Sequence, residues 1–221
     1  MSSTVSRVTR SQEEAQASYD RLSRWYDALA HASEWPFTAQ GLRMLQVQAG
    51  EAVLEIGCGT GHALAQIARA AGGAYGLDLS AGMLAVARKR VAAGGAAGRV
   101  HLVQGNAAHL PYAAASFDAL LMSFTLELFD TPAIPVVLAE CRRVLRPGGR
   151  LGVVALAQAN RPAVRLYEWA HRRFPRAVDC RPIPAVAALQ KAGFQVAACE
   201  RGTMWGLPVE MVVGSKGPSN F

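Results

Sequence analysis

No stretch of this 221-residue chain reaches the roughly 20 consecutive apolar residues that a membrane-spanning helix needs. The opening MSSTVSRVTRSQEEAQ has no apolar run, so it does not read as a secretory leader, and a cytoplasmic protein is the expectation. Cysteine is scarce. Cys58, Cys141, Cys180 and Cys199 stand far apart, no CxxC pair occurs, and zinc-ligand spacing is absent. The expectation is reduced, mostly buried thiols and no metal site. Internal repeats and long low-complexity linkers are missing too, which excludes solenoid and collagen-like architectures. Lysine is nearly absent: the chain carries 3 Lys against 20 Arg, within a net charge of +7.

About half of the residues are hydrophobic (51%), enough for one domain with a sizeable core. Residues 11–48 have helical spacing, with a break expected near Trp35-Pro36. A short apolar run ending in Gly57 reads as a buried strand over 52–57, and further strands are read over 74–80, 100–106, 116–124 and 150–156. Between them lie helical patterns over 62–72, 81–93 and 132–145, with Ser80 placed to cap the second. Arg146-Pro147-Gly148-Gly149 reads as a turn, 163–174 and 184–192 as helices, and the end as two closing strands. Alternating strands and helices imply βαβ units and a mostly parallel sheet covered on both faces. The domain reading is an N-terminal helical cap over 1–48 and a core over 49–221.

In such sheets ligands bind beyond the carboxyl ends of the strands. Three features fall there. The first is Gly57-Cys58-Gly59-Thr60-Gly61, whose glycines let backbone approach a ligand. A pyrophosphate fingerprint, GxGxxG, wants a third glycine where His62 stands, so the spacing disfavours a dinucleotide. The second is Asp78, 17 residues beyond Gly61, which can accept from both hydroxyls of a ribose or can cap the helix that follows. The third is Asn106 in Gly105-Asn106-Ala107, with the donor and acceptor that adenine recognition requires.

VLEIGCGTG (53–61), GLDLSAGML, GNAAHLPY, FDALLMSF and CRRVLRPGGRL together resemble the class I S-adenosylmethionine-dependent methyltransferases, and within them the ubiquinone/menaquinone C-methyltransferase-like group. SYDRLSRWYDAL (18–29) is similar to that group's paired Tyr-Asp segment. The likeness implies a Rossmann-like class I methyltransferase fold with seven strands. It implies S-adenosyl-L-methionine as cofactor and a small or lipophilic methyl acceptor, quinone-like or phospholipid. It also implies site roles. Glu55, Gly57, Gly59 and Gly61 would line the methionine part of the cofactor, Asp78 its ribose, and Leu79, Met83, Asn106 and Ala107 its adenine. Ser123 would lie by the methionine amino group, and Tyr26 would close over the site. Two departures stand out: Asn106 where the group more often has Asp, and Glu127 where relatives often carry His. Glu127 and Tyr26 are the candidate catalytic residues. Glu127 reads as a general base or as the holder of a cationic acceptor, against a helix-terminal charge or a solvated loop residue. His31, His62 and His109 each read as structural or surface residues.

Six arginines (161, 165, 172, 173, 176 and 181) face only Glu168 and Asp179 between Asn160 and Arg181. Helical spacing makes Trp169 and Phe174 a buried stripe and seats Trp205 on the sheet. The other reading places aromatics beside Arg against an acceptor with a negative head group, or in peripheral contact with an anionic membrane. Nucleic acid is not expected, since no separate recognition module accompanies the patch. The functional alternatives are an NAD-dependent oxidoreductase and a methyltransferase-like binding subunit without turnover. Oligomeric state is open.

Overall fold

A computed structural model describes residues 12–22, 32–174 and 180–217. Seven strands form a single sheet: β1 (Ala52–Ile56), β2 (Gly73–Asp78), β3 (Val100–Gln104), β4 (Phe117–Ser123), β5 (Leu145–Leu156), β6 (Phe194–Met204) and β7 (Leu207–Lys216). The order across the sheet is β3-β2-β1-β4-β5-β7-β6, and β7 runs antiparallel to both of its neighbours. The helices are α1 (Gln12–Leu22), α2 (Ala32–Leu45), α3 (His62–Ala70), α4 (Ala81–Ala93), α5 (Ile134–Val144), α6 (Pro162–Arg173) and α7 (Ala185–Lys191). This is the seven-stranded, mostly parallel Rossmann-like architecture that the strand-helix alternation predicts.

Helical periodicity sends each helix to its place. On α3 the buried residues are Ala63, Leu64, Ile67 and Ala68, one stripe of a 3.6-residue repeat. On α5 they are Ile134, Val137, Leu138, Cys141 and Val144. The α5 stripe, with Leu189 of α7, packs on one sheet face against Leu54, Ile56 and Leu120. On the other face Leu64, Ile67, Leu84 and Val91 pack against Val53, Ala119 and Leu121. Side chains of β1 thus alternate between two cores, as the period of two demands. Glu55 lies on the side of Val53.

Three expectations need correction. Helix α2 runs straight through Trp35-Pro36. Pro36 is the fifth residue of that helix, so the amide it lacks would have met only the carbonyl of the first residue, Ala32. Second, β5 begins at Leu145, directly after α5, and not at Arg150. Leu145 pairs with Phe117 and Arg150 with Ala119, so the expected Arg146–Gly149 turn is a bulge within the strand, with Gly148 at φ +74°. Third, Trp169, Phe174 and Trp205 are exposed and do not join the core. The inner stripe of α6 is Val164 and His171, with Tyr167 packed against the adjoining apolar cluster.

Helix α2 lies hard against the sheet. A Cβ on Gly41 would come within 2.5 Å of Val154 Cγ2, and Leu45 is fully buried. Of the four thiols, Cys58 and Cys141 are buried and Cys199 is exposed, and none of the four forms a disulfide. No helix among the described residues is long and apolar enough to cross a membrane.

Candidate functional site

Strand order reverses between β1 and β4, so the chain leaves these neighbours in opposite directions and opens a crevice at their carboxyl ends. The glycine loop fills that position. Gly57 and Cys58 both donate to Leu77 O, at 2.7 and 3.1 Å, which pins the loop to the end of β2. Gly57 has φ +70°, and a Cβ there would meet Thr125 Cγ2 and Oγ1 at 2.4 Å. A side chain would therefore push apart the two strands that bound the crevice. Gly61 serves packing: a Cβ would come within 2.9 Å of Ala87 Cβ on α4. Gly59 differs from both, since a Cβ built there meets nothing within 4 Å. Open space in front of a backbone loop is what a ligand cradle requires.

Asp78 closes one side of this space. Its carboxylate accepts the Gly59 N–H at 2.8 Å and the Ser80 N–H at 2.9 Å, tying the loop to the turn after β2. It is not the cap of α4. Ser80 takes that role, accepting the Met83 N–H at 3.0 Å. Asp20 of α1 accepts the Ser80 hydroxyl and the Gly82 N–H, the latter at 2.9 Å, and so docks α1 on the amino end of α4. An anion suits the positive end of a helix. The role of Asp20 was invisible as a single residue in SYDRLSRWYDAL, because nothing local reports a partner 60 residues away.

Beneath the loop lies Glu55, buried, with Oε2 lacking a hydrogen-bond partner. Burial pushes its carboxyl well above the ordinary value, the charge of Asp78 pushes it further, and the Leu64 amide offsets part of this. Burial also raises Asp78, against the Ser80 and Gly59 amides that lower it, and the Asp20 charge adds to the rise. The Cys58 thiol is likewise raised by burial and then by Glu55 and Asp78. Two buried acids, Glu55 and Asp78, thus flank the loop, while the Arg90 guanidinium of α4 donates to Thr60 O. A cationic donor brought to the two acids would relieve their crowding, and a pyrophosphate there would add to it.

The other rim residues are spread along the same edge. Asn106 Oδ1 accepts the Ala108 N–H at 2.9 Å, and Gly105 donates to Asp78 O at 3.0 Å, which joins the end of β3 to the end of β2. Ala107 and Met83 are buried, and Leu79 is partly exposed. The Ser123 and Thr38 hydroxyls are hydrogen-bonded at 2.6 Å, so α2 reaches the end of β4. Trp35, also on α2, tilts against His62 at 6.2 Å between ring centroids. His62 is partly exposed and His109 exposed. Tyr26 and His31 lie outside the described residues.

Glu127 follows β4 in a short 3-10 turn and is fully buried, which excludes a solvated loop charge. Its Oε1 accepts the Leu156 N–H at 3.1 Å. Arg181 is also fully buried and donates to Phe129 O and Thr131 Oγ1. It therefore leaves the surface arginine patch in which charge counting placed it. Arg176 lies outside the described residues. Among the described residues, no group of three or more His, Cys, Asp or Glu is arranged to hold a metal ion.

Residues 53–149 match the family model described as "Methyltransferase domain". A demethylmenaquinone methyltransferase of Lactiplantibacillus plantarum is 34% identical over 155 residues, which cover 68% of this chain and 63% of that protein. A methyltransferase of Streptomyces halstedii, GfsG, is 42% identical over 129 residues, covering 58% of this chain and 45% of that protein. The chain thus spans about half to three-fifths of the length of the curated relatives it matches. Among solved structures, the [4+2]-cyclase SpnF superposes with a TM-score of 0.76 at 18% identity, over 95% of this chain and 98% of that one. That likeness shows the fold.

Proposed function

We propose, from the premise that residues 53–149 belong to the methyltransferase-domain family, that the chain binds S-adenosylmethionine and transfers its methyl group to a small lipophilic acceptor. The observation that carries this reading is the pairing of open space at Gly59 with the acidic groups Glu55 and Asp78 around it. The ligand carries a sulfonium and an ammonium, and the unpartnered Glu55 Oε2 lies where a cationic donor would be welcome. A dinucleotide would place a pyrophosphate among these carboxylates, so the NAD-dependent alternative is not favoured. The likenesses to methyltransferases also weigh against it.

Bound cofactor supplies a methyl group on a sulfonium, activated for in-line displacement. The protein's part is binding, alignment and exclusion of water. Gly57, Gly59, Gly61 and Glu55 hold the methionine portion. Each Asp78 oxygen accepts one backbone N–H and keeps capacity for a ribose hydroxyl. Leu79, Met83, Asn106 and Ala107 form the adenine side, Asn106 accepting without the charge of an Asp. Ser123, oriented by Thr38, would meet the amino group, and the family resemblance assigns Tyr26, in the proposed cap over 1–48, to close over the site, with 49–221 as the proposed core.

Glu127 is assigned to the acceptor side, as base or as counter-charge. A base helps where the nucleophile must lose a proton, as a hydroquinone hydroxyl does. The relatives named demethylmenaquinone methyltransferases support a quinone-like acceptor. Radiolabelled methyl transfer to panels of hydroquinones and phospholipids tests this. Transfer to a hydroquinone, lost in Glu127→Gln, is the expected result. Stable cofactor binding with no transfer to any member would favour a binding subunit instead.

A further inference from the structure

Helix α6 has a buried side and, opposite it, an exposed apolar side. Val164 and His171 lie on its buried side. At 100° per residue, Leu166 and Trp169 fall on the opposite side, and they are 65% and 53% exposed. Phe174, at the carboxyl end, is 50% exposed and edge-on to Trp169 at 6.3 Å. A solvent-facing helix side made of Leu and Trp is an uncompensated cost for a helix that packs through one face only.

The β6–β7 hairpin brings a third exposed ring to the same region. Its two-residue turn is Trp205-Gly206, with φ +51° and +82°. Such turns favour Asn-Gly, because positive φ is strained for a bulky residue. Here a tryptophan occupies the strained position and is 72% exposed. A Cβ on Gly206 would lie 3.9 Å from Ala163 Cβ, so the hairpin tip abuts α6 one turn before Leu166. Register fixes the location. Leu156, the last residue of β5, pairs with Val209 near the start of β7, so this surface lies at the sheet edge that carries the glycine loop.

Charge identifies the occupant. Arg161, Arg165, Arg172 and Arg173 are exposed along α6, with Glu168 as the one acidic residue of the helix. Arg165 reaches Asn160 Oδ1 at 2.8 Å, and the Arg173 guanidinium stands 5.2 Å above the Phe174 ring. We propose that α6 and the Trp205 turn form an interfacial surface that seats this chain on an anionic lipid bilayer. Trp and Phe enter the headgroup boundary, and the arginines meet lipid phosphates. A second copy of the chain fits less well, since a two-fold contact would set the same arginines against each other.

The test is co-sedimentation of the full chain, without cofactor, with vesicles of equal phosphatidylglycerol and phosphatidylcholine or of phosphatidylcholine alone. Salt is set at about 0.1 M and about 1 M, where the screening length falls from about 10 Å to about 3 Å. The expected result is at least about tenfold stronger partition onto the anionic vesicles, lost at high salt. Leu166→Gln/Trp169→Gln and Arg165→Glu/Arg172→Glu should each lower it about tenfold. Should a variant fail to fold, the wild-type contrast between the two vesicles decides. Absence of wild-type binding to anionic vesicles at low salt overturns the proposal. So does binding unaltered in both folded variants, or a self-association that these substitutions abolish while vesicles bind nothing. Methyl transfer enters none of these readings.

Discussion

Gly57 is where a single methyl group would do most damage. It sits at φ +70° with Thr125 atoms 2.4 Å from any Cβ. Gly57→Ala should cost about 2–3 kcal/mol in urea unfolding, from backbone strain plus overpacking. Thr125→Ala removes both close atoms, so the double variant should regain part of that loss, and strictly additive losses would contradict the contact. Glu55 gives a second test, in pH. Its folded carboxyl is raised above the ordinary 4.5, so the folded state keeps a proton that the unfolded chain releases. Its contribution therefore worsens as pH climbs above about 4.5, and Glu55→Gln should flatten that slope; equal slopes would place Glu55 in water. At this scale the sequence was partly legible. GCGTG and Asp78 announced a backbone cradle, because loop spacing and strand ends are local signals. Thr38 and Ser123 are separated by 85 residues, and Asp20 and Ser80 by 60, so their pairing is set by packing alone.

Helix α2 is held by its end as much as by its face. It stops at Leu45, Gln46 follows at φ +52°, and the Arg150 guanidinium takes the orphan carbonyls of both. The same guanidinium is paired with Glu51 at 2.7 Å. Hydrogen bonding from Arg150 is the main cause that holds Glu51 below its ordinary value, against the rise from burial. A lowered carboxyl stabilises fully above its unfolded pKa and loses that contribution as pH falls from there through its lower folded pKa. Glu51→Gln should thus cost about 1–2 kcal/mol at neutral pH in denaturant titration, with the difference closing as pH falls below the ordinary 4.5. A constant difference across pH would mean that the loss is packing. The strands and helices from β1 to β3 were readable because each is a short apolar run or a single stripe, closed by Gly or Asp. Helix α6 was not. Its apolar residues fall on two opposed sides, and periodicity cannot say which of Val164/His171 and Leu166/Trp169 turns inward. Pro36 misled for a related reason: the sequence does not show that α2 starts only four residues before it, so that the missing amide forfeits a single bond, at the helix's first carbonyl.

For the whole molecule, strand order places the loop after β1, Asp78 after β2 and Ser123 after β4 on one edge, and the Trp205 turn shares that edge. Cofactor chemistry and the basic apolar surface thus meet on the same side of the sheet. Strand-helix alternation predicted the parallel part of this arrangement. The antiparallel insertion of β7 between β5 and β6 follows from the closing hairpin, which the two final apolar runs indicated without giving their order. The acceptor stays outside what topology alone can tell, because one fold hosts many chemistries. The acidic glycine-loop cradle is proposed to bind a sulfonium cofactor. Titration calorimetry tests it most directly, with S-adenosylmethionine, S-adenosylhomocysteine and NADH added in turn to wild type and to Asp78→Ala. The expected result is saturable binding of the first two to wild type, weakened at least about 100-fold in Asp78→Ala, about 3 kcal/mol, with no heat from NADH. Folded wild-type protein that binds neither sulfur ligand, or that binds NADH instead, would contradict it.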